Sequence, residues 1–228
     1  MKDHSAPHPS HARSGSLRSG RSIGLLFARL AAGDDPPADC SVTVLPAPSG
    51  ARAVVVGGTA WHVVAADVDP AWVAAQVAPD PLALPLGARF LTALADRIGV
   101  APGVVDAVLV VPSRAGDPGI ELVPAEVEHP RVDRALLHRT DVRVWTTPDG
   151  GGVLVLGRGV AGRWEVSVEV DPAARGRGLG TALVAAAPSL VPGGAPLWAQ
   201  VAPANTASLR AFLGAGYRPV GAECLFGS

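Results

Sequence analysis

Residues 170–180 read VDPAARGRGLG, and no other stretch constrains the chain as much. It joins a strand-like run, Arg163 to Val170, to an apolar helical run from about Leu179 to Ala187, with Arg175, Gly176, Arg177, Gly178 and Gly180 at the corner. A helix N-terminus carries unpaired backbone N–H groups and the positive end of the macrodipole, so anions bind there. Glycines let a phosphate approach the backbone, and arginines add forked donors of fixed charge. The corner therefore predicts a pyrophosphate cradle over Arg175 to Gly180.

Spacing separates the phosphate loops that such a corner could be. A P-loop needs Gly-Lys-Ser/Thr, and the sequence has no such triplet. A dinucleotide fingerprint needs G-x-G-x-x-G. Starting at Gly176 puts Thr181 in the third place, and starting at Gly178 puts Leu183 there. The pattern that fits is R/Q-x-x-G-x-G/A, through Arg175, Gly178 and Gly180. A second block follows the strand-like Leu197 to Val201: NTASLRAFLGAGY, Asn205 to Tyr217. Asn205 can cap a helix, Leu209, Phe212 and Leu213 share one face of it, and Gly216 can end it. Together, in this order and one strand apart, the two blocks resemble the signatures of the GNAT superfamily of acyl-CoA-dependent N-acyltransferases. The resemblance covers about residues 120 to 228.

The resemblance implies an α/β GNAT fold with a mixed, mostly antiparallel central sheet, in which Val166 to Val170 and Leu197 to Val201 run parallel but splay apart. A pantetheine arm would enter that gap beside Val168, Glu169 and Val170. The pyrophosphate would lie on Arg175, Gly176, Arg177, Gly178, Leu179, Gly180 and Thr181, with Asn205 and Phe212 near the cofactor arm. The implied reaction transfers acetyl from acetyl-CoA, the cosubstrate, to a primary amine by direct attack. The acceptor is expected to be a small-molecule amine, with a peptide amine next. The alternative is a non-catalytic acyl-CoA-binding or sensory module.

An attacking amine must be neutral, so a base has to take its proton. Strand alternation puts Glu165, Ser167 and Glu169 on one face, which makes Glu169 and Glu165 the candidate bases. The resemblance puts a tyrosine acid seven residues after the asparagine, and here that position is Phe212. Tyr217, the one tyrosine, falls in a slot expected to serve packing. His129 and His138 flank a helix that the resemblance puts on the acceptor side. Trp145, Trp164 and Trp198 sit at strand positions and read as core aromatics. Trp61 and His62 are expected to pack within the N-terminal part. A single RGRG without repeats or interleaved aromatics is a poor RNA-binding signal.

The rest of the chain frames this half. Residues 1–21, with His4, His8 and His11, are polar and are expected to be a disordered tail. Residues 22–112 are expected to form an N-terminal α/β accessory lobe, and residues 113–228 the acetyltransferase domain, with the loop PSRAGDPG from Pro112 between them. In the lobe, Ala53 to Val56 and Trp61 to Val64 read as a hairpin turned by Gly57 and Gly58. Pro70 to Val77 and Arg89 to Ile98 read as helices, and Val104 to Val111 as a buried strand. A short helix at Val132 to Arg139 and a three-strand meander from Val142 to Val170 follow, and a strand pair around Tyr217 to Phe226 closes the chain. A net charge of −1 argues against a surface built for nucleic acid. Cys40 and Cys224 have no ligand spacing, so no metal site is expected, and a reducing cytoplasm is the simplest location. Ile23 to Ala32 is apolar but interrupted by Arg29, and nothing approaches the ~18 residues of a membrane span.

Overall fold

The computed structural model describes residues 22–227. The polar leader expected at 1–21 lies outside the described residues. The chain opens with α1 (Ile23–Ala32), whose N-terminus is capped by Ser22 and whose end turns left-handed at Gly33. Its Ile23, Leu26, Phe27 and Leu30 recur at helical spacing and are all buried. The interrupting Arg29 points away and pairs with Asp34. The apolar run is thus an amphipathic core helix.

Then come β1 (Ser41–Leu45), β2 (Ala53–Gly58), β3 (Trp61–Ala66), α2 (Pro70–Val77), α3 (Ala88–Ile98) and β4 (Pro102–Val111). After the loop follow β5 (Val123–Pro124), α4 (Pro130–His138), β6 (Thr140–Thr146), β7 (Gly152–Arg158), β8 (Trp164–Val170), α5 (Leu179–Ala186), β9 (Leu197–Val201), α6 (Thr206–Gly214) and β10 (Arg218–Phe226). All strands belong to one sheet, ordered β1-β3-β2-β10-β4-β9-β8-β7-β6-β5. Among the described residues only β1 with β3 and β8 with β9 are parallel. The fold is a mixed, mostly antiparallel α/β sheet flanked by helices, as expected.

β10 pairs with both β2 and β4, and β4 pairs with β9. The segments on either side of residue 112 therefore share one sheet. One face of it packs against α1 through Val54, Val56, Val108, Val110 and Trp198. Farther along the same face α4 packs on Val153 and Val155. The opposite face is covered by α2 and α3 at one end and by α5 and α6 at the other. Between the α1 cluster and α4 the sheet surface carries polar side chains instead of a helix, and the candidate site lies there.

Three local expectations need correction. Gly57 and Gly58 do not turn the hairpin; Thr59 and Ala60 do, with Ala60 at φ 53°. The glycines are strand residues against which the rings of His62 and Trp61 lie. A Cβ on Gly57 would fall 2.4 Å from the His62 ring, and one on Gly58 2.3 Å from the Trp61 ring. The closing strand pair is one strand, β10, carried through Pro219 by an irregularity in its pairing with β4. Finally, β4 is buried only at Val108 to Val110; Val104 at its start is 65% exposed.

Candidate active site

β8 and β9 pair through Trp164 with Leu197 and Glu165 with Trp198, and no farther. β7, on the other side, follows β8 all the way to Val170. From Val166 onward β8 therefore has a free backbone edge facing a widening gap. Backbone N–H and C=O groups demand partners, so this edge is a template for an extended ligand carrying amides.

The gap leads to the glycine corner. Gly176 and Gly178 have φ of 76° and 82°, left-handed values that side chains rarely adopt. Gly178 caps α5 without a side-chain acceptor, which leaves the first N–H groups of the helix free for an anion. Arg175 folds back so that its Nε donates to the Val170 carbonyl at 3.0 Å, bracing the corner. Between corner and α6 lies a cavity of about 510 Å³. Val168, Glu169, Val170, Arg175, Gly176, Gly178, Leu179, Gly180, Thr181 and Asn205 all line it. Arg177 is exposed and does not. The side chain of Asn205 accepts from the Ser208 N–H at 3.1 Å, capping α6 at the cavity wall. An elongated molecule with amides at one end and a pyrophosphate at the other fits these groups.

Phe212 is elsewhere. It is 4% exposed, stacks edge-on against Tyr217 at 4.8 Å, and borders the neighbouring cavity. Tyr217 is buried with its hydroxyl donating to the Val184 carbonyl, and burial raises the phenol above its usual value. It packs the core, as expected.

The second cavity, of about 540 Å³, continues from the first across Arg131, Val168, Glu169, Asn205 and Ser208. Its floor is the polar face of the sheet and its wall is α4. Glu165 is almost fully buried there and accepts from Arg163 Nε at 2.9 Å, Gln200 Nε2 at 3.0 Å and Arg139 Nε at 3.2 Å. Arg163 also grips Glu223 with both terminal nitrogens, and Gln200 bridges to Glu223 at 2.8 Å. The buried network thus balances two arginines against two glutamates. Burial opposes the charge of Arg163, but Glu223 and Glu165 outweigh it and raise its pKa; burial lowers that of Arg139 against the pull of Glu165. Arg163 also lies over the rings of Phe27 and Trp198. Nearer the first cavity, Glu169 pairs with Arg131 at 3.2 Å, both partly exposed.

Several of these groups have no role in the sequence reading. Asp106 on β4 stands opposite Glu223 on β10, half-buried at the cavity floor. Burial, then the Glu223 charge, raises its carboxyl to about 6. A single charge inside the apolar run Val104 to Val111 was the signal that could have found it. Arg131 and Arg134 on α4 also line the cavity, beside His138, which the sequence reading sets at the end of this helix. His129 instead caps α4, its Nδ1 accepting from the Arg131 N–H at 3.0 Å. Trp164 and Trp198 are buried in the core, as is Trp61. Among the described residues no group of His, Cys, Asp and Glu is placed to hold a metal. No helix among them is long and apolar enough to cross a membrane.

Residues 126–217 match the acetyltransferase (GNAT) family. Among solved structures, the chain is similar to a GCN5-related N-acetyltransferase from Kribbella flavida, with 14% identity, 90% of this chain and 94% of that one covered, and a TM-score of 0.44. It is also similar to a GNAT-family protein from Novosphingobium aromaticivorans, with 21% identity over 56% of this chain and 66% of that one, and a TM-score of 0.37. No curated protein matches the sequence.

Proposed function

We propose that this protein moves an acetyl group from acetyl-CoA to a primary amine of a small molecule by direct attack, a reading supported by the match of residues 126–217 to the acetyltransferase (GNAT) family. The observation that carries this reading is the parting of β8 from β9 after Glu165, which opens a free strand edge onto the bare N-terminus of α5. The pantetheine amides would pair along Val168 to Val170, and the pyrophosphate would rest on the N–H groups after Arg175. The thioester then sits where the two cavities meet, so the amine approaches from the α4 side.

The proton released from the amine as the C–N bond forms goes to a carboxylate of the cavity. Of the two on β8, Glu165 already holds three donors, whereas Glu169 holds one arginine and keeps an oxygen free. Glu169 is therefore the better base, and Glu165 positions Arg139, Arg163 and Gln200. With Phe212 and Tyr217 packed against each other, the departing thiolate takes its proton from Glu169 or water.

The test is free-thiol release on mixing the protein with acetyl-CoA and a panel of amines. Release that depends on both the protein and an amine supports acetyl transfer. Tight acetyl-CoA binding without thiol release across the panel would replace the enzyme by an acyl-CoA-binding module.

A further inference from the structure

The acceptor cavity is lined by four carboxylates, Asp106, Glu165, Glu169 and Glu223. Three are spoken for: Glu165 by Arg139 and Arg163, Glu223 by Arg163, and Glu169 by Arg131. No donor among the described residues bonds the carboxylate of Asp106. The cavity-lining arginines divide the same way. Arg131 and Arg139 are paired, while Arg134, exposed on α4, has no carboxylate partner among the described residues. Arg134 and Asp106 line the same cavity, and the arginine's charge draws the carboxyl's pKa down against burial and Glu223. Once the internal pairs cancel, the cavity presents one anion on its floor and one cation on its wall.

We propose that the acceptor is a small zwitterion of the amino-acid class, its carboxylate docked on Arg134 and its ammonium docked on Asp106, which takes the first proton. The proposal rests on the acetyl-transfer reading and adds the substrate class to it. A cavity of about 540 Å³ suits such a molecule. The forked guanidinium matches a carboxylate in two parallel bonds.

Two protons must leave an ammonium that becomes an amide. The first passes to Asp106, freeing the lone pair, and from there to solvent. Nitrogen then bonds the carbonyl carbon, the C–S bond breaks, and the second proton passes through Glu169 to the thiolate. The sum is ammonium plus thioester giving amide, thiol and one released proton. The titratable groups that act on or respond to Asp106 are Glu223 and Cys224 on β10 and Arg134 on α4; β9 brings uncharged Gln200 to the same cavity, and α3 packs on the other side of the sheet. A carboxyl near 6 in that setting is ionised at neutral pH and can still accept a proton.

The experiment compares common amino acids with their decarboxylated amines in the thiol-release assay, using wild type, Arg134→Gln, Arg134→Lys and Asp106→Asn. Wild type should prefer the amino acid by about tenfold or more in kcat/KM, the scale of a charge-assisted bond. Arg134→Gln should erase that preference by raising KM for the amino acid about tenfold more than for the decarboxylated amine, and Arg134→Lys should restore part of it. Asp106→Asn should lower kcat for both acceptors by about 100-fold and remove the acid limb of the pH profile near 6. A wild type blind to the carboxylate, or an Arg134→Gln that weakens both acceptors equally, overturns the zwitterion. Full turnover by Asp106→Asn overturns its role as proton acceptor. If calorimetry detects no acetyl-CoA binding, the transferase reading falls and takes the proposal with it; binding with acetylation of carboxylate-free amines alone overturns the proposal and spares that reading.

Discussion

The two cavities that meet at Glu169 are built from different materials. The one toward α5 is made of backbone: a strand edge without a neighbour, two left-handed glycines and a helix start with no side-chain cap. The one toward α4 is made of charged side chains from β4, β8, β10 and α4, most of them already bound to one another. Backbone recognition suits a ligand part that never varies, because it depends on chain path and tolerates many side chains. A side-chain network can be retuned one residue at a time, which suits an acceptor that differs from one protein to the next.

If the second cavity depends on paired charges, breaking a pair should do the most damage. Arg163→Met leaves buried Glu223 without a cation and Glu165 with Arg139 alone, and should cost about 3–5 kcal/mol of stability, read from urea unfolding. An unchanged midpoint would mean the network is decorative. Next in size, Glu169→Gln should lower kcat by about 100-fold while leaving the affinity for acetyl-CoA within about twofold, since the cofactor side keeps its backbone donors.

Asp106 should behave oppositely in stability and turnover. Burial holds its carboxyl at about 6, above the usual aspartate value of 3.8, so ionisation is harder in the folded chain. Stability linked to its neutral form is complete below about pH 4 and is lost as pH rises through about 6. Asp106→Asn should therefore stabilise the protein by about 1 kcal/mol at pH 8, allowing for partial solvent screening, and leave it unchanged at low pH. A destabilised variant at pH 8 would show that Asp106 is held by a partner. The smallest effect belongs to Phe212→Tyr. The ring packs against Tyr217, so the added hydroxyl should leave turnover within about twofold and cost about 1 kcal/mol. A large gain in kcat would mean the ring reaches the thiolate.

The same contrast explains what the sequence made legible. Arg175 to Gly180 and Asn205 to Tyr217 are local: each packs a corner, a cap and a helix face into one continuous stretch, so spacing is enough to read them. The parting of β8 and β9 is implied by the family resemblance those two blocks carry; no residue of either strand announces it alone. Asp106 is visible as a charge in an apolar run, but its meaning depends on Glu223, brought beside it only when β10 enters the sheet between β2 and β4. Arg163 looked like a strand terminus until Glu165 and Glu223 closed on it. The Gly57-Gly58 pair reads as a turn by composition, and only the rings of Trp61 and His62 lying over it disclose another reason for glycine.

In the proposed reading, cofactor and acceptor are held by separable parts, backbone on one side and side-chain charge on the other. Calorimetric titration of acetyl-CoA into wild type, Gly178→Val and Arg134→Gln tests it most directly. Valine at a φ of 82° is strained by about 1–3 kcal/mol and would turn the α5 donors away. Gly178→Val should lose about 100-fold in affinity while remaining folded, and Arg134→Gln should bind as wild type does. Undiminished binding by Gly178→Val, or an equal loss in both variants, would contradict the account.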